Sequence, residues 1–429
     1  MKIRIYNARI LTMEENCEIF EGEVQVQDDK IIYVGQAQPD NDKIWDREID
    51  AQKNLLMPGF KNAHTHSAMT FLRSYADDLP LQEWLFNRVF PMEDELTSDD
   101  IYWCAMLANL EYLTSGITAN FDMYKKNEAN AKASKDSGFR TVLCGSINDF
   151  GGTVKEIEQE YLHFNDYDSL ISYQLGFHAE YTTKREILEE MAALSQKYHA
   201  PVYTHNSETA DEVAGCIERY QKTPTVFLNE LGMFEYGGGG FHCVHMTDED
   251  LAICKEKGVW VVTNPSSNLK LASGIAPIQK MHSMGIGLAI GTDGPASNNC
   301  LDMFREMFLV TALQKVSTND ASAMDAMPVL RMATTGGARA MGLNDCDVLA
   351  EGKNADLIML DLQQPNMQPL NNIAKNIVYS GSKQNVKMTM IAGKILYEDG
   401  RFNIGIAPEE IYAKANESIT RIKKEVQKH

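Results

Sequence analysis

Apolar and polar positions follow two rhythms along this chain. Residues 2–10 and 22–34 alternate in character, as in Glu23-Val-Gln-Val-Gln, and Asp28-Asp-Lys30 interrupts the second stretch. A period of two puts successive side chains on opposite faces, so these stretches predict half-exposed antiparallel strands with a turn at 28–30. From Leu55 onward the rhythm changes to short apolar runs separated by long helical stretches. The runs are 55–60, 117–121, 141–145, 171–177, 201–204, 240–244, 259–262 and 287–291. Strands spaced by helices predict successive βα units and a parallel sheet, and eight such units point to a (β/α)8 TIM barrel. A doubly wound open sheet is the structural alternative, but it usually has fewer strands.

Beyond Met341 the helical stretches stop and strands return at 355–360 and 386–397, with a hairpin turn at Ala392-Gly-Lys394. The expectation is therefore an α/β protein in two parts. Residues 58–344 form the barrel, and residues 1–57 and 345–429, from both chain ends, form a small β-sandwich domain. In the tail, Ile411, Ala415, Ile419, Ile422 and Val426 recur every three or four positions, which predicts an amphipathic helix. Glu and Lys mix on its polar side, which argues against a membrane role.

Composition narrows the function. Of 429 residues, 44 % are apolar and 23 % charged, with no repeat and no low-complexity tract, as expected of a globular protein. A net charge of −20 repels phosphate backbones and anionic lipid, so neither nucleic acid nor a membrane surface is expected as a partner. No apolar run approaches the ~18 residues of a membrane span. The opening residues alternate basic and apolar, reading as a strand rather than a secretory leader. Cys17, Cys104, Cys144, Cys216, Cys243, Cys254, Cys300 and Cys346 are scattered without a C-x-x-C pair, so neither a thiolate metal site nor a disulfide framework is expected. A reducing cytoplasm is the expected setting; assembly into a homo-oligomer stays open.

In such a barrel the chemistry sits where strands end. The first predicted strand ends in His64-Thr-His66, whose imidazoles share one side at a two-residue period and can share one ion. Later strands end in His205-Asn-Ser-Glu208, in His242-Cys-Val-His245 and in Gly291-Thr-Asp293-Gly. One barrel-mouth histidine is ordinarily a hydrogen-bonded structural residue. His64, His66, His205, His242 and Asp293, spread over four strand ends, together predict a metal centre. Imidazoles with a carboxylate suit one Zn²⁺ or Fe²⁺. The fourth strand ends in Phe177-His178 rather than a lysine or glutamate able to bridge two ions, so one metal is expected. His178-Ala-Glu180 resembles the H-x-E of cytidine-type deaminases, but no P-C-x-x-C follows. H-E-x-x-H and G-x-S-x-G are absent as well. Gly237-Gly-Gly-Gly240 reads as a flexible approach to the sixth strand.

Four segments resemble the amidohydrolase superfamily: Pro58-Gly-Phe-Lys-Asn-Ala-His64-Thr-His66, residues 76–85, Asn264-Pro-Ser-Ser-Asn-Leu-Lys and Gly291-Thr-Asp-Gly-Pro-Ala-Ser-Asn-Asn299. Within it they resemble the branch of 5′-methylthioadenosine/S-adenosylhomocysteine deaminases. The resemblance implies that His64, His66, His205 and Asp293 hold one zinc, that Glu208 donates a proton to a ring nitrogen, and that His242 contacts the metal-bound water. His245 is the alternative shuttle. The resemblance further implies that Trp84, Glu93 and His178 contact a nucleoside. It implies hydrolytic deamination at C6 of adenosine, 5′-deoxyadenosine, 5′-methylthioadenosine or S-adenosylhomocysteine. Guanine deamination and triazine hydrolysis are the enzymatic alternatives, and a ligand-binding barrel without turnover is the other. One departure matters. Where the branch carries arginine after Gly151-Gly152, this chain has Thr153, so a carboxylate-bearing substrate is disfavoured.

Overall fold

A computed structural model describes residues 1–38 and 44–428. In chain order the strands are β1 (Lys2–Ile10), β2 (Phe20–Gln27), β3 (Lys30–Gly35), β4 (Arg47–Asp50), β5 (Leu55–Pro58), β6 (Phe60–Thr65), β7 (Ile117–Met123), β8 (Arg140–Cys144), β9 (Ile171–Ala179), β10 (Val202–Asn206), β11 (Gly238–His242), β12 (Val259–Thr263), β13 (Leu288–Ile290), β14 (Leu357–Leu360), β15 (Val386–Ile391), β16 (Lys394–Glu398) and β17 (Arg401–Phe402). β6 to β13 pair in parallel, each with its sequence neighbour. Seven of them coincide with predicted runs. The first predicted run, 55–60, is corrected, because residues 55–58 form β5 of the other sheet and the barrel strand β6 begins only at Phe60. The seam closes just past β13, where the amides of Thr292 and Asp293 donate to the His64 carbonyl at 3.1 and 3.0 Å. Asn62 and Thr292 add two reciprocal hydrogen bonds of 2.8 Å across the same seam. All residues of β7 and β8 are buried, as strands covered on both faces must be.

β11 corrects the reading of the glycine run. Gly238, Gly239 and Gly240 lie inside the strand rather than leading up to it. A Cβ on Gly238 would stand 2.1 Å from the Val202 carbonyl oxygen, and one on Gly239 2.6 Å from the Tyr203 ring. The glycines let β10 and its tyrosine approach closely, a packing demand invisible in local sequence. A second correction falls between β14 and β15, where Ile373–Tyr379 is helical, buried through Ala374, Ile377 and Val378.

The other sheet runs β17-β16-β15-β14-β5-β1-β2-β3, with β4 beside β1, and so draws on both chain ends. It is not purely antiparallel: β4 and β5 pair with β1 in parallel. Ile3, Ile5, Val24 and Val26 from one arm share an apolar cluster with Leu357, Met388, Met390 and Ile395 from the other. The continuous sheet is thus folded over its own core, in the manner of a sandwich. Arg140, the first residue of β8, reaches out of the barrel to Asp356 in front of β14 through two hydrogen bonds of 2.6 and 3.1 Å. The tail helix Pro408–Val426 forms as predicted, burying Ile411, Ala415 and Ile422. Among the described residues no helix is long and apolar enough to cross a membrane.

Candidate metal and substrate site

The carboxyl ends of the barrel strands converge on one cavity of about 640 Å³. His64, His66, His205 and Asp293 each offer one ligand atom there, all within 4.8 Å of one another. The tautomers are set from outside. His66 Nδ1 donates to the Met123 carbonyl at 2.5 Å and His205 Nδ1 to the His178 carbonyl at 2.6 Å. Each hydrogen bond leaves a lone pair on Nε2, the usual arrangement behind a metal-binding imidazole. Asp293 is fixed in the same way: Oδ2 accepts from Ser267 Oγ at 2.6 Å and Ser297 Oγ at 2.7 Å, while Oδ1 faces His66 Nε2 at 3.2 Å.

His64 provides the test of whether a metal belongs here. Its ring is fully buried and stacked on Phe241 at 3.8 Å, yet neither nitrogen has a hydrogen-bond partner. Burying unpaired polar atoms costs about 1–3 kcal/mol, a penalty that coordination removes. Electrostatics agree. Burial drives His64 down to about 3, leaving a neutral ligand. Burial also opposes charge on His66, but hydrogen bonding to Asp293 and its charge, joined by the Met123 carbonyl and the Asp122 charge, together outweigh it and lift that imidazole to about 9. The cluster therefore demands a positive charge beside Asp293, which a divalent cation supplies.

Glu208 and His242 stand beside these four residues. Glu208 Oε1 accepts from Ser273 Oγ at 3.1 Å and lies 3.8 Å from His242 Nδ1. Burial raises the Glu208 carboxyl above its ordinary value, and the nearby Asp293 charge adds to the rise. His242 Nδ1 is held 2.7 Å from Asn268 Oδ1. Asp293 and His242 have positive φ, 58° and 71°, and Ser207 before Glu208 has 52°. Strained non-glycine backbone of this kind persists where the surrounding structure holds it, and clusters at functional sites.

Trp84, Glu93 and His178, for which the resemblance implies nucleoside contacts, all line the cavity. Glu93 Oε1 accepts a hydrogen bond from the Tyr124 hydroxyl, and burial lowers His178 to about 4, keeping it neutral. His245 is turned away: its Nε2 pairs with the Ser273 carbonyl at 2.8 Å, and His242, not His245, lines the cavity. Thr153 also faces the cavity and caps helix Val154–Phe164, accepting from the Glu156 amide at 3.2 Å. Sequence reasoning missed Ser267, Ser297, Asn268 and Tyr124 as parts of the site. The first three lie in segments quoted above only for their resemblance.

A closed parallel barrel with three imidazoles and a carboxylate gathered at its carboxyl end defines a metal-dependent hydrolase. Residues 55–396 match the Amidohydrolase family, and the chain belongs to it. It is 40 % identical over 407 residues, 93 % of each chain, to the 5-methylthioadenosine/S-adenosylhomocysteine deaminase of Caldanaerobacter subterraneus subsp. tengcongensis. It is similar in structure to an adenosine deaminase from Xanthomonas campestris with bound zinc, with a TM-score of 0.92, 33 % identity and 98 % of each chain covered. An atrazine chlorohydrolase from Arthrobacter aurescens shares the fold at a TM-score of 0.89, but at 22 % identity, with 97 % of this chain and 100 % of that one covered. The family assigns a hydrolase acting on carbon–nitrogen bonds other than peptide bonds.

Proposed function

We propose that the protein hydrolyses the C6 amine of an adenine nucleoside, giving the inosine-type product and ammonia, with one zinc ion held by His64, His66, His205 and Asp293. The observation that carries the reading is the pairing of that donor cluster, in one cavity, with a Glu208 whose carboxyl burial raises above its ordinary value. Bound there, the ion would make hydroxide available from water near neutral pH and so would supply the nucleophile. The protein's own groups do the rest. Glu208, protonated, gives its proton to the ring nitrogen beside C6 and makes that carbon electrophilic. His242 orients the attacking water, and Asp293 takes the proton it sheds and returns it to the departing amine. The amine leaves as ammonia while the C6 hydroxyl gives its proton back to Glu208 as the carbonyl forms. Trp84, Glu93 and His178 hold the nucleoside. Relatives named as deaminases of such nucleosides support the reading.

The charged lining of the cavity favours an uncharged 5′ substituent. Glu93, Asp94, Glu156 and Glu160 line the cavity against Lys125 and Lys126, with Phe90 and Phe150 beside them; among the described residues no arginine does. Lys125 lies 3.8 Å from Glu93, and Lys126 is bonded to the Leu96 carbonyl. We rank 5′-methylthioadenosine, 5′-deoxyadenosine and adenosine above S-adenosylhomocysteine. Eight unpaired cysteines support a cytoplasmic location.

Ammonia release from 5′-methylthioadenosine, 5′-deoxyadenosine, adenosine, S-adenosylhomocysteine, guanine and cytosine, ranked by kcat/KM, tests this. The adenine nucleosides are expected first. Turnover of guanine alone would sink the substrate assignment and leave only metal-dependent hydrolysis. Glu208→Gln and Asp293→Asn are each expected to lower kcat by several orders of magnitude without unfolding the chain, about 4 kcal/mol or more of transition-state stabilisation.

A further inference from the structure

The proton donor sits on an unusual piece of backbone, and one buried side chain holds it there. Glu212, on helix Ala210–Tyr220, is only 6 % exposed and does not line the cavity. Its Oε1 accepts from the Ser207 amide at 2.8 Å and its Oε2 from the Glu208 amide at 2.7 Å. At the third position of a helix a glutamate commonly reaches back to the amide of the capping residue. Here the cap is Thr209, which accepts from the Glu212 amide, and the carboxylate extends past it to the two preceding residues. Ser207 is left-handed, with φ 52°, and two successive amides turned to one side around such a residue make a nest for an anion.

The geometry points to Glu212 as the positioning residue of the proton donor: its carboxylate clamps the Ser207-Glu208 backbone and thereby fixes where the Glu208 carboxyl meets the substrate ring. The inference rests on the proposed role of Glu208. The same loop leads from the ligand His205, three residues earlier, so the clamp registers the donor against the metal cluster. Glu212 also adds charge. Burial, and then repulsion from Glu208, push its own carboxyl to about 7, and between two ionised carboxylates such repulsion is mutual. Facing Glu212 are Glu208, Tyr181 after β9, Cys216 on its own helix and Cys243 after β11. Facing Glu208 are His242, Asp293, His66 and Tyr181. Removing the charge at 212 leaves Glu208 easier to ionise, so its donating form is lost at lower pH.

The test uses the full-length, zinc-loaded enzyme. Glu212→Gln keeps the shape but turns one acceptor into a donor facing an amide. We expect kcat to fall at least tenfold, KM to stay within about threefold, zinc to remain at one per chain, and the descending limb of the kcat–pH profile to move to lower pH. Glu212→Asp keeps the charge on a shorter arm; it should lose less kcat and leave the limb in place. In a Glu208→Gln background, Glu212→Gln should change the residual rate by less than about twofold, because the group it positions no longer donates. An equal loss in both backgrounds, or a wild-type kcat and pH profile in Glu212→Gln, overturns the inference. Near-normal turnover in Glu208→Gln alone overturns the donor role itself, and is read from a different variant.

Discussion

At the scale of single residues, the metal cluster is held by neighbours that never touch the ion. Asp293 presents Oδ1 to the imidazoles because Ser267 and Ser297 occupy Oδ2. Groups that orient ligands in this way typically contribute 10- to 100-fold in metal affinity. Ser297→Ala should therefore weaken zinc binding by about 10-fold, and Ser267→Ala with Ser297→Ala by about 100-fold. Competition with a chromophoric chelator measures this; affinity unchanged in the double variant would remove the serines from the site. The histidines were legible in the sequence because a period of two fixes their common side at His64 and His66, and because strand ends are where a barrel does chemistry. The serines were not. Their value lies in contact with Asp293 across 26 and 4 residues, and a hydroxyl carries no mark of the carboxylate it will meet. Glu212 escaped for the same reason, since an acidic residue in the first turn of a helix already has an ordinary explanation.

At the scale of elements, the tail helix is the surprise in an otherwise expected arrangement. Its apolar period was readable; its partner was not. Ala415 and Ile422 pack in one cluster with Trp84, Leu85, Val89 and Met92, on the segment that carries cavity residues Trp84 and Glu93. Arg421 ties the helix further, donating to the Glu95 carbonyl at 2.7 Å and pairing with Asp100. The helix thus backs the wall of the substrate cavity. Ile422 is fully buried, and truncating such a side chain to alanine costs about 2–5 kcal/mol. Ile422→Ala should lower the thermal midpoint and raise KM several-fold, with kcat changed less than twofold because the metal ligands lie elsewhere. A rise in KM no larger than twofold alongside the lowered midpoint would mean the wall stands without the helix. Local pattern failed where tertiary packing overrides it: the glycines of β11 read as loop because their purpose is the approach of Val202 and Tyr203. Helix Ile373–Tyr379 was missed as a short element.

At the scale of the whole molecule, the question is how two sheets of different architecture are joined without a linker. The apolar rhythm already showed that both chain ends are strand-forming, and hence that they can meet. The joint is apolar packing, with Ile358, Val386 and Leu396 in one cluster with Leu113 and Phe139, pinned by a buried ion pair that lies in no local pattern. Arg140 and Asp356 form a two-pronged pair with side chains 6 % and 0 % exposed. Asp356 Oδ1 also accepts from the Ala392 amide at 2.8 Å, so one carboxylate binds a barrel strand and the β15–β16 turn together. Beneath them Lys61 is fully buried, its Nζ donating to the Gly59 carbonyl at 2.8 Å and to Thr118 Oγ1 at 2.7 Å. Burial lowers Lys61, while the Asp356 charge opposes that fall. Asp356→Asn would strand Arg140 and weaken the support for Lys61, and breaking a buried pair costs about 3–5 kcal/mol. The pH dependence follows from the carboxylate. Burial opposes its charge, but Arg140 prevails and holds Asp356 below its ordinary 3.8. Stability from this group is thus fully present above about pH 4 and is lost as pH falls through the depressed native value. Thermal midpoints measured from pH 7 down to pH 3 should show the wild type losing its advantage over Asp356→Asn only in the acid range. A gap between the two proteins that stays constant down to pH 3 would mean that the joint is held by packing alone, with the ion pair a passenger.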